Sequence, residues 1–500
     1  MSFAVVYSRA INGVSAPPVA VEVHLANGLP SFTIVGLAET AIKESRDRVR
    51  SAIVNSKFDF PSKRITVNLA PADLPKEGSG FDLPIAIGVL MASRQIPVNQ
   101  DELDDHEFIG ELSLNGRLRS VAGILPVAHA VRCSDRKLVL PHSAVEEAAF
   151  INNLRLIYSD SLNGLVDKLI NKIEQNSSAE QITVIDHKDY PDFADVKGQQ
   201  FAKRALEIAV SGKHNILLIG PPGCGKTMLA TRLPGILPEL NEKQAIETAS
   251  IYSVSKQSFE LKNWRRTPIR CPHHSCSPVA LIGGGSKPVP GEISLAHNGI
   301  LFLDEITEFE TRALEMLREP LDTGYVNIAR VNQSQRFLAD ILLVAAANPC
   351  HCGYLGSQQK QCRCSIALID RYRNKLSGPL IDRFDMHIEL PSVRPEELLL
   401  QPQGESSRNI AKRVLKARKI QIARQQKLNY TLTSSDIGLE IERCSKLKDY
   451  LFRLTKKLNI SVRSYHRVLR LSRTIADLEE DAAIEPRHIS EALQYRTLDR

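Results

Sequence analysis

The segment Gly220–Thr227 has the composition and spacing of a loop that binds phosphate. It reads Gly-Pro-Pro-Gly-Cys-Gly-Lys-Thr, follows the apolar run Ile216–Ile219 and precedes Met228–Leu233. Glycines let consecutive backbone N–H groups turn toward an anion, while Lys226 can reach the β- and γ-phosphates and the Thr227 hydroxyl can ligate Mg²⁺. The pattern predicts a Walker A loop for a nucleoside triphosphate, with ATP and Mg²⁺ as cofactors. The predicted contacts come from Gly220, Pro221, Pro222, Gly223, Cys224, Gly225, Lys226, Thr227 and Met228.

A second apolar run ends in two carboxylates. Ile300–Leu303 is followed by Asp304 and Glu305, which is the arrangement of a Walker B strand. We expect Asp304 to hold Mg²⁺ through water and Glu305 to orient and deprotonate the attacking water, because phosphoryl transfer depends on positioned charge. Taken alone, a strand end followed by an acidic helix start would explain these residues better. The upstream Walker A loop favours the catalytic role.

Several domains must position these residues in a chain of 500 amino acids, of which 43% are hydrophobic. Residues 1–168 alternate strand and helix patterns and predict an α+β domain, and residues 169–192 are a polar linker. Residues 193–394 alternate β and α patterns around both nucleotide elements, which predicts a parallel sheet with crossover helices. Residues 395–500 are helical, with one helix over Cys444–Leu458. The predicted fold is multidomain α/β.

The composition limits the surroundings of the chain. A net charge of +7 permits a polyanionic partner without requiring one. No apolar run approaches the length of about 18 residues that a membrane-spanning helix needs, and no secretory signal pattern is visible. We therefore expect a cytoplasmic protein without membrane contact, whose nine cysteines are reduced thiols or metal ligands.

Four of the cysteines form two Cys-x-Cys pairs. Cys350 and Cys352 lie on one side of a short polar loop, and Cys362 and Cys364 lie on the other. The loop can fold the pairs together into a tetrathiolate Zn²⁺ site, although paired Cys-x-x-Cys would be more diagnostic. The alternative is four inert reduced thiols. We predict a structural Zn²⁺ site that stabilises this loop, with His351 as a substitute ligand.

Six further segments carry motifs: Gly283–Gly285, Pro290–His297, Gly299–Glu305, Ala347–Cys350, Ser377–Asp385 and Arg473–Leu478. These segments resemble the YifB/ComM family of magnesium-chelatase-like AAA+ ATPases. With the Walker elements they span nearly the whole chain, and they include an amino-terminal domain similar to the Lon protease domain. The resemblance implies a homo-hexameric ring and, in ComM members, a DNA helicase that promotes branch migration when transforming DNA is integrated.

The resemblance also implies an AAA+ parallel-sheet core, a helical lid and roles for further polar residues. Asn348, at the end of the strand after Walker B, corresponds to the sensor 1 residue for the γ-phosphate. Arg383 corresponds to an arginine finger that acts on the ATP of the neighbouring subunit; the alternative is an arginine paired with a nearby aspartate. Arg463 corresponds to sensor 2, with Arg467 as second choice and a solvated arginine as the alternative.

Two inserted segments correspond to hairpins that face the ring pore in this clade. They are Leu281–Pro290, with Lys287, and Gly324–Phe337, with Arg330 and Arg336. Positive loops suit a DNA phosphate backbone, and the alternative is that they only pack the ring. A leading alternative for the whole chain is a chelatase-like or protein-remodelling ring that acts on a protein partner.

Two other features bear on function. The predicted helix Arg408–Lys427 carries eight basic residues and no acidic one, which indicates either a DNA contact or a solvated basic helix. In the Lon-like domain, Gly80 stands where the resemblance expects the nucleophile and Leu125 where it expects the lysine. Ser79 beside Lys76 is a substitute pair, but the motif fails. We predict a domain without peptidase activity.

Overall fold

The protein is described here by a computed structural model. It covers residues 3–36, 39–72, 74, 76, 78–173, 175–176, 190–255, 263–285, 288–330, 333–357, 360–392, 404–442, 450–451, 461–496 and 498. The description is limited to the backbone for residues 39–43, 175–176, 330, 333–334 and 439–442. The chain forms two compact units: the first takes the described residues of 1–184, 242–264 and 327–337, and the second takes the others.

The first unit is built on a mixed eight-stranded sheet. Strands Pro18–Ala26 and Arg64–Ala70 alternate buried and less buried residues, so one face of the sheet forms a core. The helix Asp82–Ala92, which is buried along its whole length, packs on this sheet. A Cβ atom at Gly88 would lie 2.6 Å from Val23, so glycine permits the close approach of this helix.

The elements of this unit follow in chain order. The strands are β1 (Phe3–Arg9), β2 (Pro18–Ala26), β3 (Ser31–Val35), β4 (Arg64–Ala70), β5 (His106–Phe108), β6 (Glu111–Leu112), β7 (Leu118–Arg119), β8 (Lys137–Pro141), β9 (Arg155–Ser159) and β10 (Gln175–Asn176). The large sheet has the order β10-β9-β8-β5-β1-β2-β4-β3. The helices are α1 (Glu39–Asn55), α2 (Asp82–Ala92), α3 (Gln100–Leu103), α4 (Ile124–Cys133), α5 (Val145–Ala148) and α6 (Leu162–Ile170).

The second unit contains a five-stranded parallel sheet that is apolar on both faces. Such sheets are covered by helices on both sides, which is why their strands are continuous hydrophobic runs. The order is β12-β15-β18-β11-β19, from β11 (Ile216–Ile219), β12 (Ile269–Arg270), β15 (Ile300–Leu303), β18 (Leu342–Ala347) and β19 (Met386–Glu389). The prediction of a parallel-sheet core with a helical carboxyl-terminal region is confirmed.

Helices and short hairpins complete the fold. The helices are α7 (Gln200–Gly212), α8 (Lys226–Arg232), α9 (Glu242–Ser255), α10 (Pro278–Ile282), α11 (Glu292–Leu295), α12 (Thr311–Met316), α13 (Arg318–Thr323), α14 (Ile366–Arg373), α15 (Gly378–Ile381), α16 (Ser407–Gln425), α17 (Ser434–Glu442), α18 (Val462–Leu478) and α19 (Pro486–Gln494). The hairpins are β13 (Gly283–Gly284) with β14 (Val289–Pro290), and β16 (Tyr325–Arg330) with β17 (Gln333–Leu338).

The grouping of elements does not follow chain order throughout. Helix α9 packs against α4 of the first unit, and Arg132 Nη1 lies 3.0 Å from Glu242 Oε1. Helices α16 and α18 pack against α7 and share the core of the second unit. The predicted boundaries at 168, 192 and 394 stay predictions. Most of the predicted helix Cys444–Leu458 lies outside the described residues. Among the described helices, none is long and apolar enough to cross a bilayer.

Candidate nucleotide site

The predicted Walker A segment is a loop between β11 and α8, at the carboxyl end of β11. Gly223 and Gly225 have φ values of 77° and 90°, in the left-handed region that glycine adopts without strain. Gly225 is the residue before the first residue of the helix, Lys226. The side-chain amide of Gln199, a residue that the sequence pattern did not indicate, donates to the Cys224 carbonyl at 2.9 Å. The loop therefore has the backbone form that its glycines predict.

The loop is adjacent to the side chains predicted to act with it. The Thr227 hydroxyl lies 2.6 Å from Asp304 Oδ2, so the two predicted Mg²⁺ ligands meet at one point. Lys226 Nζ donates to Asn348 Oδ1 at 3.1 Å and to the Gly220 carbonyl at 2.6 Å. Hydroxyl and carboxylate oxygens are the donors that Mg²⁺ prefers, so these residues fit the cation together with a triphosphate.

Glu305 has an unusual backbone conformation beside this cluster. Its φ is 49°, although it is not glycine, and its backbone N–H donates to Asp304 Oδ1 at 3.0 Å. Left-handed conformations of such residues are costly and concentrate at functional sites. The side chain is 51% exposed, and its Oε2 lies 3.7 Å from His274 Nδ1. Glu305 is thus held at the strand end with its carboxylate open to solvent, as a base for water requires.

Arg383 and Arg463 lie at the other edge of the same sheet. Both contact Asp322: Arg383 through Nη2, and Arg463 Nη2 at 3.9 Å. Together with Asn215 and Asp385, which directly precede β11 and β19, they line a cavity of about 300 Å³. The four residues of β11 span about 13 Å at 3.3 Å per residue, which separates this cavity from the phosphate loop of the same chain.

The two arginines differ in exposure. The Arg383 side chain is 12% exposed and also donates to the Pro379 carbonyl at 2.8 Å, whereas the Arg463 side chain is 46% exposed. Arg467, the second choice for sensor 2, is buried and donates to the Phe384 carbonyl at 2.6 Å. Those contacts give Arg467 a structural place, and they leave Arg463 as the more accessible cation.

Comparison with known proteins identifies the family. Residues 192–398 match the family described as Magnesium chelatase, subunit ChlI, residues 21–144 match Subunit ChlI of Mg-chelatase, and residues 404–496 match its C-terminal family. The chain is 48% identical to Competence protein ComM of Haemophilus influenzae over 100% of its length and 98% of that protein. It is 45% identical to the protein YifB of Escherichia coli over the same shares of both chains.

This chain belongs to the YifB/ComM family of magnesium-chelatase-like AAA+ ATPases. The similarity to a dedicated chelatase subunit is narrower. The Magnesium-chelatase subunit ChlI of Olisthodiscus luteus is 24% identical over 280 residues, which cover 51% of this chain. The predicted family is confirmed, and ATP hydrolysis is the activity that membership supports.

In this family member, Asp385 connects the amino ends of β11 and β19. Its Oδ2 accepts the backbone N–H of Asn215 at 3.1 Å and lies 3.8 Å from His214 Nδ1. Burial opposes ionisation, but the contacts with His214, Arg467 and Arg470 outweigh burial and lower the pKa of Asp385 from 3.8 to about 2. A carboxylate with a lowered pKa stabilises the folded state above its unfolded pKa.

The change Asp385→Asn is therefore expected to destabilise the protein at neutral pH. The lowered pKa corresponds to about 2 kcal/mol, which is present above about pH 4 and lost as the pH falls to about 2. The measurement is the urea midpoint of unfolding as a function of pH. Asp370→Asn, at an exposed position of α14, is the control and should behave as wild type. A variant that kept the acid dependence of the wild type would contradict this role of Asp385.

The two predicted Cys-x-Cys pairs meet in space. The ligand atoms of Cys350, Cys352, Cys362 and Cys364 all lie within 4.8 Å of one another. His351 is not a member of this group, and its ring packs edge-on against Tyr372 with the centroids 6.1 Å apart. The four thiols can therefore hold one metal ion without the substitute ligand.

The predicted DNA-contacting segments form hairpins. The strands β13 and β14 pair across Leu281–Pro290, and the strands β16 and β17 pair across Gly324–Phe337. Lys287 lies outside the described residues, and for Arg330 the description is limited to the backbone. Arg336 has an exposed side chain on β17. DNA contact by these residues stays a prediction.

Most of the basic residues of α16 are held by the fold. Arg413 pairs with Glu207 and with Glu405, and both Arg418 nitrogens that form hydrogen bonds donate to the Val210 carbonyl. Arg424 and Lys416 pair with Asp477 and Glu480. Lys427, which lies just beyond the end of α16, pairs with Asp436. The remaining cations are exposed and pair with no carboxylate among the described residues: Arg408, Lys412 and Lys419.

In the first unit, the substitute pair Ser79 and Lys76 make hydrogen bonds to other groups. Ser79 Oγ donates to Glu111 Oε2, and Lys76 Nζ donates to the carbonyls of Pro71 and Leu74. Leu125 is buried in α4. A peptidase dyad requires the lysine amine to accept the serine proton. Here the Ser79 hydroxyl donates to Glu111 and not to Lys76. The absence of peptidase activity stays a prediction.

Proposed function

We propose that this protein is a cytoplasmic, ATP-driven DNA motor that works as a homo-hexamer and promotes branch migration during integration of transforming DNA. The observation that carries the proposal is the placement of the site residues on two opposite edges of one sheet. Lys226, Thr227 and Asp304 lie at the carboxyl edge, and Arg383 and Arg463 line the cavity at the amino edge. Because these two arginines lie at the edge away from the phosphate loop of their own chain, we expect them to contact the nucleotide bound by a neighbouring subunit.

A closed ring satisfies this arrangement. Head-to-tail contacts around a rotation axis place one edge of each subunit against the opposite edge of the next. Each nucleotide site would then receive the arginines of one neighbouring subunit. Lys226, Thr227, Asp304 and Glu305 would act on the nucleotide of their own subunit. Arg383 would spread its charge over the transferred phosphoryl group of the next subunit. The Asp322 contact of Arg383 would have to be exchanged for that phosphate.

Two observations support DNA as the partner: the exposed positive charge on α16 and the similarity to a known protein. Arg408, Lys412 and Lys419 occupy positions i, i+4 and i+11 of α16, which lie on one stripe of a helix. Exposed cations without acidic partners bind phosphate backbones and release counterions. The relative of Haemophilus influenzae carries the name Competence protein ComM, which supports a role connected with the uptake of DNA.

The test is the ATPase rate with and without single-stranded and four-way-junction DNA. We expect stimulation by DNA in the wild type, with salt-sensitive affinity. The triple variant Arg408→Glu, Lys412→Glu and Lys419→Glu should bind more weakly, and the slope of log affinity against log salt should fall by about three. The matched control is Lys416→Gln, on the same helix but paired with Glu480. An ATPase rate that no DNA changes would favour a ring that remodels a protein partner.

A further inference from the structure

We propose that Cys350, Cys352, Cys362 and Cys364 hold a structural Zn²⁺ ion that fixes Asn348 and the phosphate loop for nucleotide binding. The inference rests on the binding of ATP, and it is independent of whether DNA is the substrate. It combines two observations: the geometry of the four thiols, and the packing of the loop between them against the Walker A segment.

The distances between the sulfur atoms match those of a tetrathiolate site. Cys350 Sγ lies 3.4 Å from Cys352 Sγ and 3.7 Å from Cys362 Sγ, and the last two atoms are 3.6 Å apart. A tetrahedron of thiolates at a Zn–S distance of about 2.3 Å has edges of about 3.8 Å. A disulfide would require about 2.05 Å, so the four sulfurs are arranged as ligands of one ion and not as two cross-links.

The loop is folded so that the pairs converge. Gly353 has a φ of 81° and its N–H donates to the Cys350 carbonyl at 2.9 Å, which closes a tight turn that contains both cysteines of the first pair. Cys350 is fully buried, and Cys352, Cys362 and Cys364 are partly exposed. The site is therefore anchored in the core on one side and open to solvent on the other.

The same turn packs against the phosphate loop. A Cβ atom at Gly353 would lie 2.7 Å from Pro222 Cδ and 3.9 Å from the Asn348 side chain. Leu355, Gly356 and Ser357, which lie between the pairs, line a cavity of about 520 Å³. Gly220, Pro221 and Asn348 line the same cavity.

A physical link therefore runs from the thiols to the site. Asn348 lies two residues before Cys350 and accepts a hydrogen bond from Lys226 Nζ. An ion held by both ends of the loop removes the freedom of the segment that carries Asn348 and covers Pro222. Without the ion, this segment would become ordered only when the nucleotide binds. The entropic cost of ordering it would lower the affinity for ATP.

The first experiment is elemental analysis of the full-length protein, with one Zn²⁺ per chain as the expected result. Cobalt reconstitution should give the visible absorption of a tetrahedral thiolate site. Cys352→Ser and Cys364→Ser should lose both signals, while Cys133→Ser, at an exposed cysteine outside the cluster, should keep them. No bound zinc after reconstitution, or iron in its place, would overturn the assignment.

The second experiment measures the affinity for a fluorescent ATP analogue in excess Mg²⁺ and without DNA. Removal of Zn²⁺ from the wild type with a zinc-selective chelator should weaken binding by about tenfold, comparable to the loss of one hydrogen bond to a charged group. Adding Zn²⁺ back should restore it, which separates the effect from misfolding of a variant. An affinity that stays the same while zinc leaves and returns would refute the link to the phosphate loop.

Discussion

Replacing Glu305 with glutamine is expected to lower the ATPase rate by about 10²–10⁴-fold, the range contributed by a positioned general base. Glutamine cannot accept the proton of the attacking water, but it keeps the size and the hydrogen-bonding oxygen of the side chain. The binding contacts of Lys226 and Thr227 are untouched. The affinity for ATP should therefore stay within about threefold of the wild type, as expected when an interaction is used only in the transition state.

The control is Glu308→Gln, three residues further along the same turn. Glu308 is exposed, and its Oε2 lies 3.6 Å from Lys375 Nζ. Steady-state phosphate release and equilibrium binding of a fluorescent ATP analogue provide the two measurements. Equal rates for Glu305→Gln and Glu308→Gln would show that the base for water is another residue.

Replacing Arg383 with alanine is expected to lower the ATPase rate by about 10³-fold, as for arginine fingers that stabilise the transferred phosphoryl group. Because Arg383 lies at the amino edge of the sheet, it should act on the neighbouring subunit and not on its own phosphate loop. The distinguishing experiment mixes Arg383→Ala with Lys226→Ala, two variants that are each inactive alone. Mixed rings contain interfaces with both an intact phosphate loop and an intact finger, so part of the activity should return.

The matched control is Arg371→Ala, at an exposed position of α14. It should keep the wild-type rate alone and in mixtures. Failure of the Arg383→Ala and Lys226→Ala mixture to regain activity, with ring assembly verified by light scattering, would place the function of Arg383 within its own subunit. A wild-type rate for Arg383→Ala alone would show that Arg383 has no part in hydrolysis and only pairs with Asp322.

Contiguous patterns were enough to predict the parts of the site that a single loop builds. The phosphate loop needs residues in the left-handed conformation, which a Cβ atom disfavours. Gly223 and Gly225 both adopt this conformation. The cysteine pairs needed only a short loop with glycines to converge, and their sulfurs meet. In each case the chemistry depends on residues that are close in the chain, so spacing carries the information.

Residues that depend on non-local packing were harder to assign. The pattern of the basic helix α16 allowed a DNA role along its whole length. In the structure, Arg413, Arg418 and Arg424 each bind a group more than 50 residues away in sequence, on Glu207, Val210 and Asp477. His274 Nδ1 lies 3.7 Å from Glu305 Oε2 because the fold brings their two segments together. The spacing of residues within one segment does not indicate which distant segment they contact, because long-range contacts follow from the topology of the fold.

The sequence by itself determined the family, the ATP-binding loop, the acidic strand end and the two cysteine pairs. Only the tertiary structure decided that Thr227 meets Asp304 and that Lys226 meets Asn348. It also decided that Arg383 lies on the opposite edge. The physical reason is the strand order: parallel packing places β11 beside β18 and brings their carboxyl ends to one edge, although 122 positions separate the Lys226 and Asn348 side chains in the chain.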